Sequence, residues 1–390
     1  MRLFLIAGEP SGDLLGGALM AGLRSLCPDV AFDGVGGPEM ADQGLVSRFP
    51  MDELSVMGLT EVLPRYPHLR RRMIDTAHAV VAAEPDALIT IDAPDFCLRV
   101  ARRVRAAAPR VRTVHYVAPS VWAWRPGRAA KMAEVIDQVL ALLPFEPGYM
   151  EAAGMRCDFV GHPVAAAPRA DRGEIAAFRA EAGLGEAPVL LVLPGSRGAE
   201  VGRLAPVFGP ALERVCRARP DLRVVAAAAA PVADRVCDAA RDWPGRPVIL
   251  DPRGQDPETA AAEKRAAFAA ADVALAASGT VALELAAAGT PMVTAYRPSW
   301  LTYQILARMT LIDTANLVNL VSDTRAVPEF LGPACTPDAL AEAVLTTLAA
   351  PQLQSEALDR TMIALGRGGP PPGLRAARAV LDGLGATRGG

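Results

Sequence analysis

The chain has 390 residues, 51% hydrophobic and 21% charged, with a formal net charge of -3. The apolar content excludes a disordered chain, and the mild acidity argues against a general nucleic-acid binder. Glycine and proline, 34 of each, follow no three-residue period, so collagen is excluded too.

At ~150 residues per domain, this length predicts two compact domains. The opening MRLFLIAGEPSGD is apolar only as far as Glu9, too short for a secretory leader. No stretch reaches the ~18 apolar residues of a spanning helix. The six cysteines never fall at C-x-x-C spacing, which suits reduced cytosolic thiols rather than disulfides or a zinc site. A cytoplasmic protein is expected.

In chain order, RLFLIA (2–7) reads as a buried strand, followed by the loop GEPSGD and a helical pattern from Leu14 to Leu26. ALITI (87–91), RTVHYV (112–117) and DQVLALLPF (137–145) read as further strands, with helices such as Leu98–Ala108 between them. GHPVAAAPRADRG (161–173) reads as a linker. The alternation then restarts with PVLLVLPGSRGAE (188–200), RVVAAAA (223–229), PVIL (247–250), DVALAAS (272–278) and PMVTAY (291–296). Helices are predicted near 337–348, 352–365 and 374–384. The fold class is therefore α/β, two tandem Rossmann-like domains facing a central cleft, over 1–165 and 166–365. The C-terminal helix, about 366–390, is expected to pack back onto the first domain. Ligands in such sheets bind beyond the carboxyl ends of the strands.

Two loops of the second half suit a nucleoside diphosphate. In LPGSRG, Gly195 lets the backbone approach an anion, Ser196 offers a hydroxyl, and Arg197 a planar fork for phosphate oxygens. Ser278–Gly279–Thr280 lies where a strand ends and a helix begins, a ready phosphate site. Glu284, one turn further on, is placed to take hydrogen bonds from a ribose diol. Its apolar neighbours make an unpartnered charge there costly. Neither a Walker motif nor G-x-G-x-x-G is present, which weighs against ATP hydrolysis and hydride transfer.

In the first half, IDAPDF (91–96) sets Asp92 and Asp95 directly after a strand. Asp92 is the better candidate for a general base, and Asp95 reads as a helix N-cap. No histidine lies nearby, so a metal is the weaker reading of this carboxylate pair. In HYVAPSVWAWR, the two tryptophans can line a cleft, and His115 reads as a core histidine. His162 reads as a turn residue or as a group at an interdomain cleft. Residues 62–131 carry thirteen Arg/Lys against five Asp/Glu. Beside the apolar run 55–69, such a face is either solvated surface or a contact for anionic lipid. SWLTYQILARM (299–309) reads as core, dimer contact or lipid contact.

AGEPSGD (7–13), GVGGPEM (34–40), ELSVMGLTEVL (53–63), IDAPDF, HYVAPSVWAWR (115–125), LLPFE (142–146), FVGHP (159–163), LPGSRGAEV (193–201) and ASGTVALE (277–284) together resemble the lipid-A-disaccharide synthases. The resemblance runs in order through nearly the whole chain, as far as 316–331. It implies a glycosyltransferase-B fold, with an acceptor domain followed by a UDP-sugar domain. The reaction it implies joins UDP-2,3-diacylglucosamine to 2,3-diacylglucosamine 1-phosphate, giving a β-1,6-linked disaccharide 1-phosphate and UDP. It further implies Asp92 and Arg197 as essential, and Glu284, Ser278, Gly279 and Thr280 at the uridine nucleotide, with Asn316 or Asn319 reaching it. No metal and no cofactor are implied. Peripheral contact with the inner face of a Gram-negative inner membrane is implied, as is a homodimer. Cys97 stands where the family commonly has asparagine, which puts any orienting amide at that position in doubt. An epimerase or another UDP-sugar enzyme, and a non-catalytic nucleotide- or lipid-binding protein, are the alternatives.

Overall fold

The computed structural model describes residues 1–54 and 59–388, without the side chains of 59–65, 301, 305–307 and 386–388. Much of the apolar run 55–69 expected to meet lipid therefore lies outside the described residues. The chain forms two compact units, Met1–Ala166 together with Leu365–Gly390, and Ala167–Ala364.

The first unit contains β1 (Arg2–Ala7), α1 (Pro10–Leu26), β2 (Ala31–Val35), α2 (Pro38–Asp42), α3 (Leu59–Ala83), β3 (Ala87–Ile91), α4 (Pro94–Ala107), β4 (Arg112–Tyr116), α5 (Gly127–Ala133), β5 (Gln138–Ala141), α6 (Glu146–Glu151) and β6 (Arg156–Phe159). The six strands are parallel, in the order β2-β1-β3-β4-β5-β6. The second unit contains α7 (Arg172–Glu181), β7 (Val189–Leu193), α8 (Gly198–Ala218), β8 (Arg223–Ala227), α9 (Ala233–Ala240), β9 (Val248–Leu250), α10 (Pro257–Ala270), β10 (Val273–Ala277), α11 (Val281–Ala288), β11 (Met292–Tyr296), α12 (Trp300–Met309), α13 (Leu317–Ser322), β12 (Glu329–Leu331), α14 (Pro337–Ala349) and α15 (Gln352–Ala364). Its parallel sheet runs β12-β11-β10-β7-β8-β9. The last helix, α16 (Pro372–Arg388), belongs to the first unit.

Strand periodicity divides the first sheet's side chains between two cores. Phe4, Ile6 and Leu88 face one way, toward Met73, Val100 and Val104. Leu3, Leu5 and Ile89 face the other, toward Leu19, Leu23, Ala376 and Val380. Each such side chain contributes ~1.5–3 kcal/mol on burial. Small residues let α16 reach α1: a Cβ on Gly22 would lie 2.6 Å from the Gly373 carbonyl oxygen. Gln138 Nε2 donates to the Ala379 carbonyl at 2.8 Å, and Arg375 Nη2 to that of Phe159 at 2.9 Å.

The central strands fall where apolar runs predict them. β2, β6 and β12 have no such run, and all three are edge strands. One side of an edge strand is open, so polar residues are tolerated: Asp33 in β2 pairs with Arg48 at 2.6 Å, and Asp158 in β6 with Arg156 at 2.9 Å. The run 137–145 is shorter as a strand than predicted, because the chain turns after Ala141 to bring Glu146 inward.

Candidate active site

In each sheet the strand order reverses once, and the loops on either side of the reversal part to leave a crevice. In the second sheet the reversal lies between β7 and β10. The loops that follow those strands carry Gly195–Ser196–Arg197 and Ser278–Gly279–Thr280. All six residues line one cavity of about 560 Å³, together with Glu284.

Gly195 has φ +120°, and a Cβ there would lie 2.7 Å from Cβ of Glu200, so both backbone angle and space require glycine. Glu200 organises this turn, since its carboxylate accepts from the Ser196 amide at 3.2 Å and from Arg197 Nη1 at 3.0 Å. The Arg197 side chain is 63% exposed. At the other loop, α11 begins without a side-chain cap, so its first amides and positive dipole end face the cavity. A Cβ on Gly279 would meet nothing within 4 Å, so the fold itself does not require glycine there. Ser278 Oγ donates to Glu329 at 2.9 Å, and the same carboxylate accepts from Thr314 and from the Ala315 amide.

Glu284 does have a partner. Lys264 on α10, also lining the cavity, lies 2.5 Å from its carboxylate, and both side chains are about half exposed. Neither Lys264 nor Glu329 is singled out by sequence reasoning. Their one signal is scarcity in the case of Lys264, which is one of only two lysines.

Asn316 and Asn319, expected to reach the nucleotide, are not among the residues that line this cavity. Asn316 is the N-cap of α13, accepting from the Val318 amide at 2.9 Å and donating to Thr294 at 3.1 Å. Asn319 donates to the Val327 carbonyl at 2.9 Å and accepts from the Val327 amide at 3.0 Å. Both are buried, with their amides committed to the fold.

In the first sheet the reversal lies between β1 and β3, and Asp92 follows β3. Asp92 and Ala93 both take left-handed backbone angles, φ +52° and +41°. Such conformations cost ~1–3 kcal/mol each and persist where the surroundings over-determine them. The Asp92 amide donates to the Tyr116 carbonyl at 3.0 Å, and its Oδ1 accepts from the Ala93 amide at 2.9 Å. Gly8, after β1, allows the close approach: a Cβ there would lie 2.9 Å from that of Ala93. Among the described residues Asp92 makes no ion pair. Asp95 is not the helix cap, because Ala93 holds that position and Asp95 lies exposed in the first turn of α4. Cys97 is fully buried in the core, and burial, with the nearby Asp92 charge, keeps its thiol protonated.

His115 lies within β4, with Nδ1 at 2.7 Å from the Thr90 hydroxyl. His162 Nδ1 accepts from the Val164 amide at 3.2 Å, which fits a turn residue. Trp122 is buried rather than cleft-lining. No cluster of three metal-ligating side chains occurs among the described residues.

Two parallel six-stranded sheets with interleaved helices define a two-domain α/β protein with a glycosyltransferase-B-like fold. A sequence profile described as lipid-A-disaccharide synthetase matches residues 3–367. The chain is 67% identical over 384 residues to the lipid-A-disaccharide synthase of Ruegeria pomeroyi, covering 98% of this chain and 96% of that one. It is 50% identical over 387 residues to that of Rhodospirillum centenum, covering 98% and 94%. The chain belongs to the lipid-A-disaccharide synthase family and is a glycosyltransferase of lipid A biosynthesis. Among solved structures, a Staphylococcus aureus MnaA–UDP co-structure has a TM-score of 0.64 at 12% identity, covering 97% of this chain and 94% of that one. A Neisseria meningitidis UDP-GlcNAc 2-epimerase bound to UDP-GlcNAc has 0.62 at 10%, covering 99% and 100%. At such identities the likeness is one of fold.

Gly279→Ala should leave the melting temperature within about 1 °C, because its Cβ enters open space, yet weaken UDP binding by about tenfold, ~1.4 kcal/mol. Calorimetric titration checks this, and unchanged affinity would show that the loop does not hold phosphate. A second expectation concerns pH. Burial pushes the pKa of His115 and of His162 down from 6.5 to about 4, and that of Glu146 up from 4.5 to about 7. As pH falls from 6.5 toward 5, the unfolded chain takes up two histidine protons that the folded chain refuses. Over the same range the folded chain keeps a Glu146 proton that the unfolded chain holds less fully, which opposes them. Two histidines outweigh one glutamate, so stability falls on acidification, and His162→Asn should flatten the fall. Urea midpoints at pH 6.5 and 5 test this; equal falls in both proteins would count against it.

Proposed function

We propose that transfer proceeds as a single displacement with inversion, the first unit binding the acceptor and the second the UDP-sugar donor. Asp92 accepts the proton of the acceptor's 6-hydroxyl as that oxygen bonds to the donor's anomeric carbon. The bond from that carbon to the diphosphate oxygen breaks, and its electron pair leaves with UDP. Arg197 and the amides at the start of α11 stabilise the growing charge on the leaving group. Gly195 and Ser196 lie against the diphosphate, and the Glu284 carboxylate takes the ribose hydroxyls.

The observation that carries this reading is the contrast between Asp92 and the buried carboxylates around it. Among the described residues the Asp92 carboxylate, at a strained strand end beside the strand-order reversal, accepts only from the adjacent Ala93 amide, whereas those of Asp13 and Glu146 each accept from three donors. Asp92→Asn should lower kcat by about 10²–10⁴-fold while UDP affinity stays within twofold. Mass measurement of the product from diacylated donor and acceptor reads the loss. Near-normal turnover in the variant would remove Asp92 as the base. An epimerase would return a monosaccharide nucleotide in the same assay, and a non-catalytic binder would return neither product.

We also propose peripheral attachment to an anionic membrane surface. No described helix is long and apolar enough to cross a membrane. Support comes from α12 and the loop after it, where Trp300 is 74% and Leu311 62% exposed, near Arg308. Several of the basic residues in 62–131 are instead ion-paired, Arg72 with Glu53 and Arg105 with Asp137, both at 2.6 Å. Binding should be stronger to anionic than to neutral vesicles at low salt, and Trp300→Ser should weaken it several-fold. Equal binding to both vesicle types would leave this surface as ordinary solvated protein. The homodimer that the family resemblance implies is measured by sedimentation velocity.

A further inference from the structure

The carboxyl edge of the first sheet holds a second carboxyl group, which the displacement does not use. Glu146 closes the LLPFE run after β5 and is only 4% exposed. Its Oε2 accepts from the amides of Leu142 and Leu143, at 3.2 and 3.0 Å, and its Oε1 from the indole Nε1 of Trp122 at 3.4 Å. Among the described residues no cation pairs with it. A carboxyl group buried against neutral donors alone is costly, and its raised pKa is the mark of that cost.

The three donors belong to two different loops. Leu142 and Leu143 lie in the turn after β5, and Trp122 lies in the segment after β4. That segment is bracketed by two left-handed residues, Val117 at φ +83° and Arg125 at φ +54°. For a β-branched valine this angle is an outlier that needs outside support. Phe145, the neighbour of Glu146, packs edge-to-face on Trp122 with ring centroids 5.2 Å apart. The same edge carries Asp92. Ile91 pairs with Tyr116 and Tyr116 with Leu140, while the Asp92 amide donates to the Tyr116 carbonyl and the Val117 amide to that of Leu140, both at 3.0 Å. The ends of β3, β4 and β5 are thus bonded side by side, and Glu146 ties the last two together beyond the sheet.

We propose that Glu146 is a positioning residue for the transfer, its carboxyl group fixing the Trp122 segment to the end of β5 so that the edge beside Asp92 keeps the shape that receives the acceptor sugar. This rests on the reading of Asp92 as the base. The tether has polarity, which makes it testable. A glutamine at 146 can take the two backbone amides on its carbonyl oxygen, but its NH2 group then faces the indole N–H, donor against donor. Phenylalanine at 122 removes that clash.

E146Q should therefore lower kcat by about tenfold or more, with donor KM and UDP affinity within twofold of the parent. The double variant E146Q/W122F should recover kcat to within about threefold of W122F alone, a coupling that a merely structural role would not produce. E146Q with kcat within twofold of the parent would overturn the proposal. So would losses that simply multiply in the double variant, or a fall in UDP affinity equal to that in kcat. Should E146Q not fold, W122F alone decides, because it leaves Oε1 without its donor: kcat several-fold lower at unchanged UDP affinity supports the tether, and kcat within twofold refutes it. D92N assayed in parallel separates the two readings. An inactive D92N beside a normal E146Q removes only the tether, and an active D92N beside an impaired E146Q removes only the base.

Discussion

A parallel sheet sends every strand in the same direction, so its crossover helices must cover one face or the other. Where the order reverses, neighbouring strands send their loops to opposite faces, and the space between them stays uncovered. Both sheets contain one such reversal, β1 against β3 and β7 against β10. Most of the site chemistry stands on the loops beside these two points. Gly8 and Asp92 flank the first. Gly195–Arg197 and Ser278–Thr280 flank the second. Gly8 follows from this constraint, because a Cβ there would press on Ala93 across the reversal, whereas Gly195 is required by its own turn, through φ +120° and the approach of Glu200.

Polar residues near these points separate into two kinds by where their hydrogen bonds go. Asp13 is 2% exposed, and its carboxylate accepts from the amides of Gly37, Glu39 and Met40, closing the start of α2. It thereby joins the AGEPSGD and GVGGPEM segments, whose sequences alone offer no reason to stand together. Asn316, Asn319 and Glu329 are committed to the fold in the same way. Against these, Asp92 accepts only from the adjacent amide among the described residues, Arg197 is largely exposed beside Glu200, and Gly279 borders open space. Capacity left over after the fold has been satisfied is what a substrate can use. By that measure the second unit has a phosphate-suited surface and the first an unpaired carboxylate.

The central strands were legible in the sequence because burial on both faces demands unbroken apolar runs, as in ALITI and VLLVL. The edge strands β2, β6 and β12 were not, since an open side removes that demand. The two loops that line the cavity were legible as loops because glycine directly after a buried strand marks a tight turn or a close backbone approach. Asparagine is ambiguous in a sequence, because its amide serves an N-cap as well as it serves a ligand, and at 316 it caps α13. Partnerships across long sequence separations, Lys264 with Glu284 or Ser278 with Glu329, left no local periodicity to read. The strain at Asp92 was equally hidden, because nothing in the string IDAPDF marks two successive left-handed residues.

That strain bears on how the chain is assembled. Two left-handed residues at 92 and 93 stand against the local backbone preference, so the surrounding sheet must hold them. One hold is the Asp92 amide on Tyr116, and Tyr116 is completely buried in the core shared with α1 and α16. That core is completed by Ala376, Ala377 and Val380, from residues that follow the whole second unit in the chain. The helix reaches it through contacts only small residues permit, Gly22 against Gly373, and through Gln138 on the Ala379 carbonyl. The geometry of a loop near residue 92 therefore depends on a helix at the far end of the sequence, and the first unit is complete only when the C-terminal segment has returned to it.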